Sequence, residues 1–116
     1  TFKTIHHMES EIVGKPSEEI TESDIIKALF PGGSITGAPK YRATQIIDHL
    51  EDYNRGIYTG CLGTIMGNGD MDFNICIRTV TLNNNTATYP VGGGIVWDST
   101  SESEYNEAQE KANILD

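Results

Sequence analysis

Apolar positions along the chain recur with two periods, and the change from one to the other marks out its elements. Residues 2–13 alternate. Ile5, His7, Glu9, Glu11 and Val13 share one side, and Thr4, His6, Met8, Ser10 and Ile12 share the other. This predicts a strand with no cleanly apolar face, one side of which lines a polar cleft. Gly14-Lys15-Pro16 ends it. The period then becomes helical. Ile25, Ile26, Leu29 and Phe30 form a stripe over 22–30, capped by Thr21 or Ser23. Ala43, Ile46, Ile47 and Leu50, spaced i, i+3, i+4, i+7, predict a one-sided helix over 39–53, with Pro39 in its first turn. Tyr105, Ala108, Ala112 and Leu115 do the same for a final helix over about 101–115, capped from Asp98-Ser99-Thr100-Ser101.

Between the second and third helices the alternation returns. Residues 57–66 and 71–82 read as a hairpin closed by Asn68-Gly69 in a type I′ turn. That turn sets a register in which Leu62 faces Ile75, Thr64 faces Phe73 and Met66 faces Met71 on the core side. Cys61 faces Cys76, Gly63 faces Asn74 and Thr59 faces Arg78 on the other. The two cysteines become cross-strand neighbours, expected as thiols. Gly60 and Gly63 allow a bulge or a close ligand approach. After Asn83-Asn84-Asn85, residues 86–91 pair back as a third strand, and Ile95-Val96-Trp97 form a short fourth one. The whole predicts an α+β fold, a mostly antiparallel sheet with three helices packed on it. A chain that opens in mid-strand also predicts a truncated domain.

Composition narrows the function. A chain of 116 residues is enough for one domain with its own core. Its net charge of −9 disfavours nucleic acid and anionic membrane as partners. It shows no apolar run of membrane length and no secretory-signal pattern, and two cysteines fit a reducing, cytoplasmic setting. If such an acidic chain binds an anion, it must offset its own field locally, through Arg or Lys, a helix start or a divalent cation.

Three stretches carry candidate chemistry. Pro31-Gly32-Gly33-Ser34-Ile35-Thr36-Gly37-Ala38-Pro39-Lys40 feeds the second helix. It is either an anion-binding loop with Ser34 and Thr36 as donors or a plain Gly/Pro turn between helices. It is not a phosphate loop, because Ala38 and Pro39 stand where Lys and Ser or Thr belong. Lys40 and Arg42 carry the wrong sign for a helix start, which fits either a nearby anion or side chains reaching into solvent. Gly92-Gly93-Gly94 either turns its N–H groups toward a ligand or permits tight packing. Glu104, Glu107 and Lys111 share a helix face; the carboxylates can share a divalent cation, or Glu107 and Lys111 form an ordinary i,i+4 pair.

Taken in order, six motifs resemble the C-terminal part of the chorismate-utilising enzymes, the group of anthranilate synthase and aminodeoxychorismate synthase component I. They are His7-Met8-Glu9-Ser10-Glu11-Ile12-Val13-Gly14; the Pro31–Lys40 loop with Arg42; Arg55-Gly56-Ile57-Tyr58-Thr59-Gly60; Asp72-Phe73-Asn74-Ile75-Cys76-Ile77-Arg78-Thr79; Gly92-Gly93-Gly94-Ile95-Val96 with Asp98-Ser99; and Glu104-Tyr105-Asn106-Glu107 with Lys111. The resemblance covers residues 5–115 and makes 1–116 the C-terminal segment of a chorismate-binding domain. It implies a chorismate site with Mg²⁺. Arg78 would clasp the enolpyruvyl carboxylate, Tyr58 would hydrogen-bond nearby, and the N–H groups of Gly92, Gly93 and Gly94 would bind carboxylate oxygen. Glu107 would ligate Mg²⁺ with Glu104 beside it, and Lys111 would meet the ligand's negative end. His7 would lie near the ring and Ser34 near the reacting hydroxyl.

Within the group, Pro-Gly-Gly-Ser-Ile-Thr-Gly-Ala-Pro-Lys is most similar to the aminodeoxychorismate synthase branch; anthranilate synthases resemble Pro-Ala-Gly-Thr-hydrophobic-Ser-Gly-Ala-Pro-Lys. The reaction implied replaces the chorismate C4 hydroxyl with ammonia supplied by a glutamine amidotransferase subunit, on the way to p-aminobenzoate and folate. Family enzymes are several times longer. Their upstream acidic pair and their Pro-Ile-Lys-Gly-Thr nucleophile stretch are not in these 116 residues, so the chain by itself is expected to be inactive, with apolar surface exposed for swapping or dimerisation. A binding module without catalysis remains the alternative of another class. One conflict stands: the simple register puts Tyr58 and Arg78 on opposite faces, although one ligand should meet both. A bulge near Gly60 or Gly63, or a ladder that ends before Tyr58, would reconcile them.

Overall fold

The computed structural model describes residues 9–113. Helix α1 (Glu22–Leu29) opens with a capping box in which Thr21 and Asp24 satisfy each other's backbone N–H groups. Its inner face is Ile25 and Ile26, while Leu29 is exposed. Lys40, at the start of the third helix, donates to the Ala28 carbonyl at 2.7 Å. Its charge therefore serves the negative end of α1. That accounts for a basic residue at an unfavourable helix start without any anion.

The Gly/Pro loop contains a single unexpected turn of helix, α2 (Gly33–Thr36). The Thr36 hydroxyl closes it by donating to the Gly32 carbonyl at 3.0 Å. Gly37 then takes φ +116, a left-handed backbone that glycine adopts freely. Helix α3 (Lys40–Leu50) follows, with Pro39 as its cap rather than inside its first turn. It ends three residues earlier than its pattern predicts. Glu51 turns extended, and its carboxylate leaves the helix face to engage Arg55. Ala43, Thr44 and Ile47 face inward, whereas Ile46 and Leu50 are exposed.

Strands β1 (Cys61–Ile65) and β2 (Met71–Ile75) form the expected antiparallel hairpin, one residue out of the expected register. Cys61 pairs with Ile75, Gly63 with Phe73 and Ile65 with Met71. The cause is the turn. Met66 N–H donates to the Asp70 carbonyl at 2.8 Å, so three residues, Gly67 to Gly69, make the loop. Gly69 at φ +90 takes the left-handed position that a three-residue hairpin requires. The Asn68 amide bonds Asp70 instead of starting a type I′ turn. A one-residue slip exchanges faces, so Leu62 and Met66, expected inside, are exposed. Cys61 and Cys76 are no longer opposed, and both are free thiols.

Gly63 explains the new register physically. A Cβ there would lie 2.0 Å from the Asp72 carbonyl oxygen and 2.6 Å from Phe73 Cδ1. Phe73 thus lies over Gly63, and its ring sits 6.2 Å from that of Phe30. Gly63→Ala should lower stability by about 2 kcal/mol, the usual scale of overpacking. Gly67→Ala, where nothing lies within 4 Å of the added carbon, is the matched control. Equal denaturation midpoints for the two variants would show this contact to be misjudged.

Strands β3 (Thr81–Asn83) and β4 (Thr86–Thr88) form a second, separate two-stranded sheet. The α+β class holds, with two small antiparallel sheets rather than one continuous sheet. The expected strand over 86–91 is confined to β4, and that over 95–97 does not form. Trp97 there is 99% exposed. Of the strand expected over 2–13, residues 9–13 are not extended in any sheet; the remainder, with His7, lies outside the described residues. Helix α4 (Ser101–Ala112) opens with a second capping box, Thr100 with Ser103. It turns Glu104, Ala108, Lys111 and Ala112 inward and Tyr105 outward; Leu115 lies outside the described residues.

Little of this is core. Among the described residues, Cys76 and Thr59 alone are buried. The accessible surface is 10,322 Å² for 12.7 kDa. A compact monomer of that mass exposes about 6,200 Å².

Candidate functional site

Two kinks at the end of the hairpin build the site. Beyond β1 and β2 the ladder continues for one more rung: Cys76 N–H donates to the Gly60 carbonyl, and Thr59 N–H to the Cys76 carbonyl, each at 3.0 Å. There both strands leave extended geometry. Thr59 takes φ 67 and Arg78 takes φ 52. Left-handed backbone at such residues costs about 1–2 kcal/mol each, and strain of this kind collects at functional sites. The kinks end the regular alternation before Tyr58 and before Arg78. Both side chains consequently line one cavity, and the conflict in the simple register disappears.

That cavity, of about 240 Å³, is bounded by Ser34 on α2, by Tyr58 and Arg78, by Gly92, Gly93 and Gly94, and by Lys111 on α4. Ser34 is placed there because Gly32, beside it, packs against Ile75 on the inner face of β2. Tyr58 closes the near wall, where a Cβ on Gly92 would lie 3.0 Å from its hydroxyl. Gly92 is thus a place of close approach rather than part of a free linker.

On the α4 side, two carboxylates press against the same glycines. A Cβ on Gly93 would fall 2.7 Å from Glu104 Oε2 and 3.6 Å from Glu107 Oε1. Glu104 is held by the Ser99 hydroxyl, which donates to Oε1 at 2.5 Å and accepts from Val96 N–H at 3.0 Å. Its other oxygen, Oε2, is buried with no hydrogen-bond partner. Lys111 Nζ donates to the Gly92 carbonyl at 2.9 Å and pairs with Glu107. Of the residues singled out from sequence, Ser34, Tyr58, Arg78, Gly92, Gly93, Gly94 and Lys111 come together here. Glu104 and Glu107 stand against Gly93, and His7 is outside the described residues.

A buried carboxylate oxygen without a partner is the feature a hard cation would satisfy. The Glu104–Glu107 pair therefore fits a share of a Mg²⁺ site. Among the described residues no group of three or more His, Cys, Asp or Glu side chains gathers to form a whole one.

Arg55 and Thr59 stand in the sequence only as members of the Arg55–Gly60 motif, with no role in the site. Arg55 forks onto Glu51, with Nε to Oε2 at 2.6 Å and Nη2 to Oε1 at 2.5 Å. The guanidinium holds the Glu51 carboxyl below its ordinary range, and Glu51 in turn raises Arg55. The i,i+4 spacing of Glu51 and Arg55 was the available signal, but α3 has ended by then, so the pair belongs to a loop. A larger cavity, of about 850 Å³, opens on this side of Tyr58. Among the described residues no helix is long and apolar enough to cross a membrane.

The hairpin kinks, the glycine turn and the acidic helix face meet around one cavity on an α+β scaffold. The family model of the chorismate binding enzymes matches residues 1–115, and the chain belongs to that family. It is 46% identical to aminodeoxychorismate synthase component 1 of Escherichia coli (strain K12) over 114 residues, which are 98% of this chain and 25% of that protein. A probable chloroplastic aminodeoxychorismate synthase of Oryza sativa subsp. japonica is 48% identical over 97% of this chain and 12% of its own length. Anthranilate synthase component 1 of Acinetobacter calcoaceticus is 41% identical over 98% of this chain and 23% of its own length. The chain spans a quarter or less of these relatives.

Proposed function

We propose that this chain supplies part of the chorismate site of an aminodeoxychorismate synthase component I. The observation that carries the reading is the single cavity shared by Ser34, Tyr58, Arg78, the three glycines and Lys111. A dicarboxylate entering it meets a guanidinium, whose planar fork suits a carboxylate. The Tyr58 hydroxyl and the N–H groups of the lining glycines would add neutral donors. Lys111, held between Gly92 and Glu107, brings a second positive charge to the cavity. Ser34, exposed on α2 and lining the same cavity, would stand near the ring carbon that exchanges its substituent. Glu104 and Glu107 would hold Mg²⁺, which supplies a positive centre for the ring carboxylate of an otherwise acidic protein.

In this reading ammonia, delivered by a glutamine amidotransferase subunit, replaces the C4 hydroxyl and yields 4-amino-4-deoxychorismate. The loop Pro31-Gly32-Gly33-Ser34-Ile35-Thr36 favours this outcome over anthranilate. The 41% identity to an anthranilate synthase component keeps that product as the second reading. Incubating the complete gene product with chorismate, Mg²⁺ and ammonia separates them. Aminodeoxychorismate, which becomes p-aminobenzoate only after a lyase is added, is expected. Fluorescent anthranilate supports the second reading, and no chorismate consumption overturns both. The 116 residues by themselves should turn over no chorismate.

A further inference from the structure

Arg55 does not line the candidate cavity, yet it holds Tyr58, which does. We propose that Arg55 is a positioning residue: anchored on Glu51, it fixes the Tyr58 hydroxyl against Gly92. This rests on the chorismate-site reading and extends it to a residue outside the cavity. The anchor is the extended residue that ends α3, gripped by two parallel N–H bonds of a planar fork. From there the guanidinium lies 5.5 Å from the centre of the Tyr58 ring, within range of a cation–π contact. Its remaining arm donates from Nη1 to the Thr59 hydroxyl at 3.3 Å, and that hydroxyl donates to the Tyr58 carbonyl at 2.5 Å. The Arg55 carbonyl accepts Tyr58 N–H at 3.0 Å.

Tyr58 is therefore restrained by Arg55 directly at its ring and N–H and, through the Thr59 hydroxyl, at its carbonyl, and it lines both cavities. The arrangement also accounts for the strain at Thr59. A left-handed backbone there keeps its hydroxyl under the guanidinium while its N–H stays on the ladder. Lysine would keep the charge of Arg55 but not the fork, so it could hold Glu51 or the ring but not both in this geometry.

A double-mutant cycle in the complete gene product tests this. Arg55→Lys should raise the chorismate KM about tenfold with kcat changed less than twofold. In a Tyr58→Phe background, where the hydroxyl is already gone, Arg55→Lys should add less than a further twofold. Additive losses would overturn the proposal. Glu51→Gln, which weakens the anchor and leaves Arg55 intact, should reproduce the KM effect if Arg55→Lys fails to fold. A second readout needs no ligand. With 3-fluorotyrosine at position 58, its ¹⁹F resonance should move in both variants. An unmoved resonance overturns the positioning role whatever the enzyme does with chorismate, whereas a moved resonance in a protein inert to chorismate overturns only the site reading.

Discussion

In the complete gene product, replacing Arg78 with alanine should reduce chorismate kcat/KM by about a hundredfold, since truncating a charge that pairs with a ligand carboxylate costs about 2–5 kcal/mol. Most of the loss should appear in KM, because in the proposed reaction the enolpyruvyl carboxylate keeps its charge throughout. Arg78→Lys should fall between, about tenfold, as the charge survives without the bidentate fork. The backbone adds a sharper test. Arg78 is held at φ 52, where a side chain is strained and glycine is not. Arg78→Gly should thus bind as poorly as Arg78→Ala while being more stable than it by about 1 kcal/mol. Measured together, a binding isotherm and a denaturation midpoint should move in opposite directions for the glycine variant. If Arg78→Ala retains affinity within threefold of the parent, Arg78 is not the carboxylate clasp.

The second large effect is expected at Gly93. A methyl group there collides with Glu104 Oε2 at 2.7 Å and comes within 3.6 Å of Glu107 Oε1. The colliding atom is the end of a flexible side chain, so the collision is relieved by swinging the carboxylate away. That movement costs the fold little, but it removes an oxygen from the place where a cation would be held. Gly93→Ala should therefore weaken Mg²⁺ binding by about a hundredfold, the upper end for a displaced ligand sphere, with an almost unchanged melting temperature. Gly94→Ala, where nothing lies within 4 Å, is the control. Manganese titration followed by paramagnetic resonance measures both. Equal affinities for the two variants would remove Glu104 from the proposed metal site.

Where local chemistry decides the outcome, the sequence is readable. Thr21 and Thr100 with their capping partners mark the starts of α1 and α4. The apolar spacing marks α3, and the motif residues that converge on the cavity carry their chemistry in their identities. What could not be read depends on choices between nearly equal local solutions. Asn68-Gly69 suits a two-residue turn, but Gly67 and the Asn68–Asp70 bonds make a three-residue loop equally good, and Phe73 packing on Gly63 settles it. Alternation over 2–13 and the apolar run over 95–97 both suit extended chain, but a strand needs a neighbour for its ladder. Among the described residues neither 9–13 nor 95–97 has one. The same want of neighbours leaves Leu50 and Tyr105 exposed on faces whose pattern predicts burial.

The three-residue tip of the hairpin acts as a ruler. It stands at the far end from the cavity, yet its length decides which residues meet at the last rung, Gly60 with Cys76, and hence where Tyr58 and Arg78 leave the ladder. Hairpin tips ordinarily drift in both identity and length across relatives, because they touch little. Here the two kinds of drift should part company. Residues 67–69 are free to change wherever a left-handed third position is kept. An insertion or deletion of one residue would instead carry the hairpin's error intact to the binding wall.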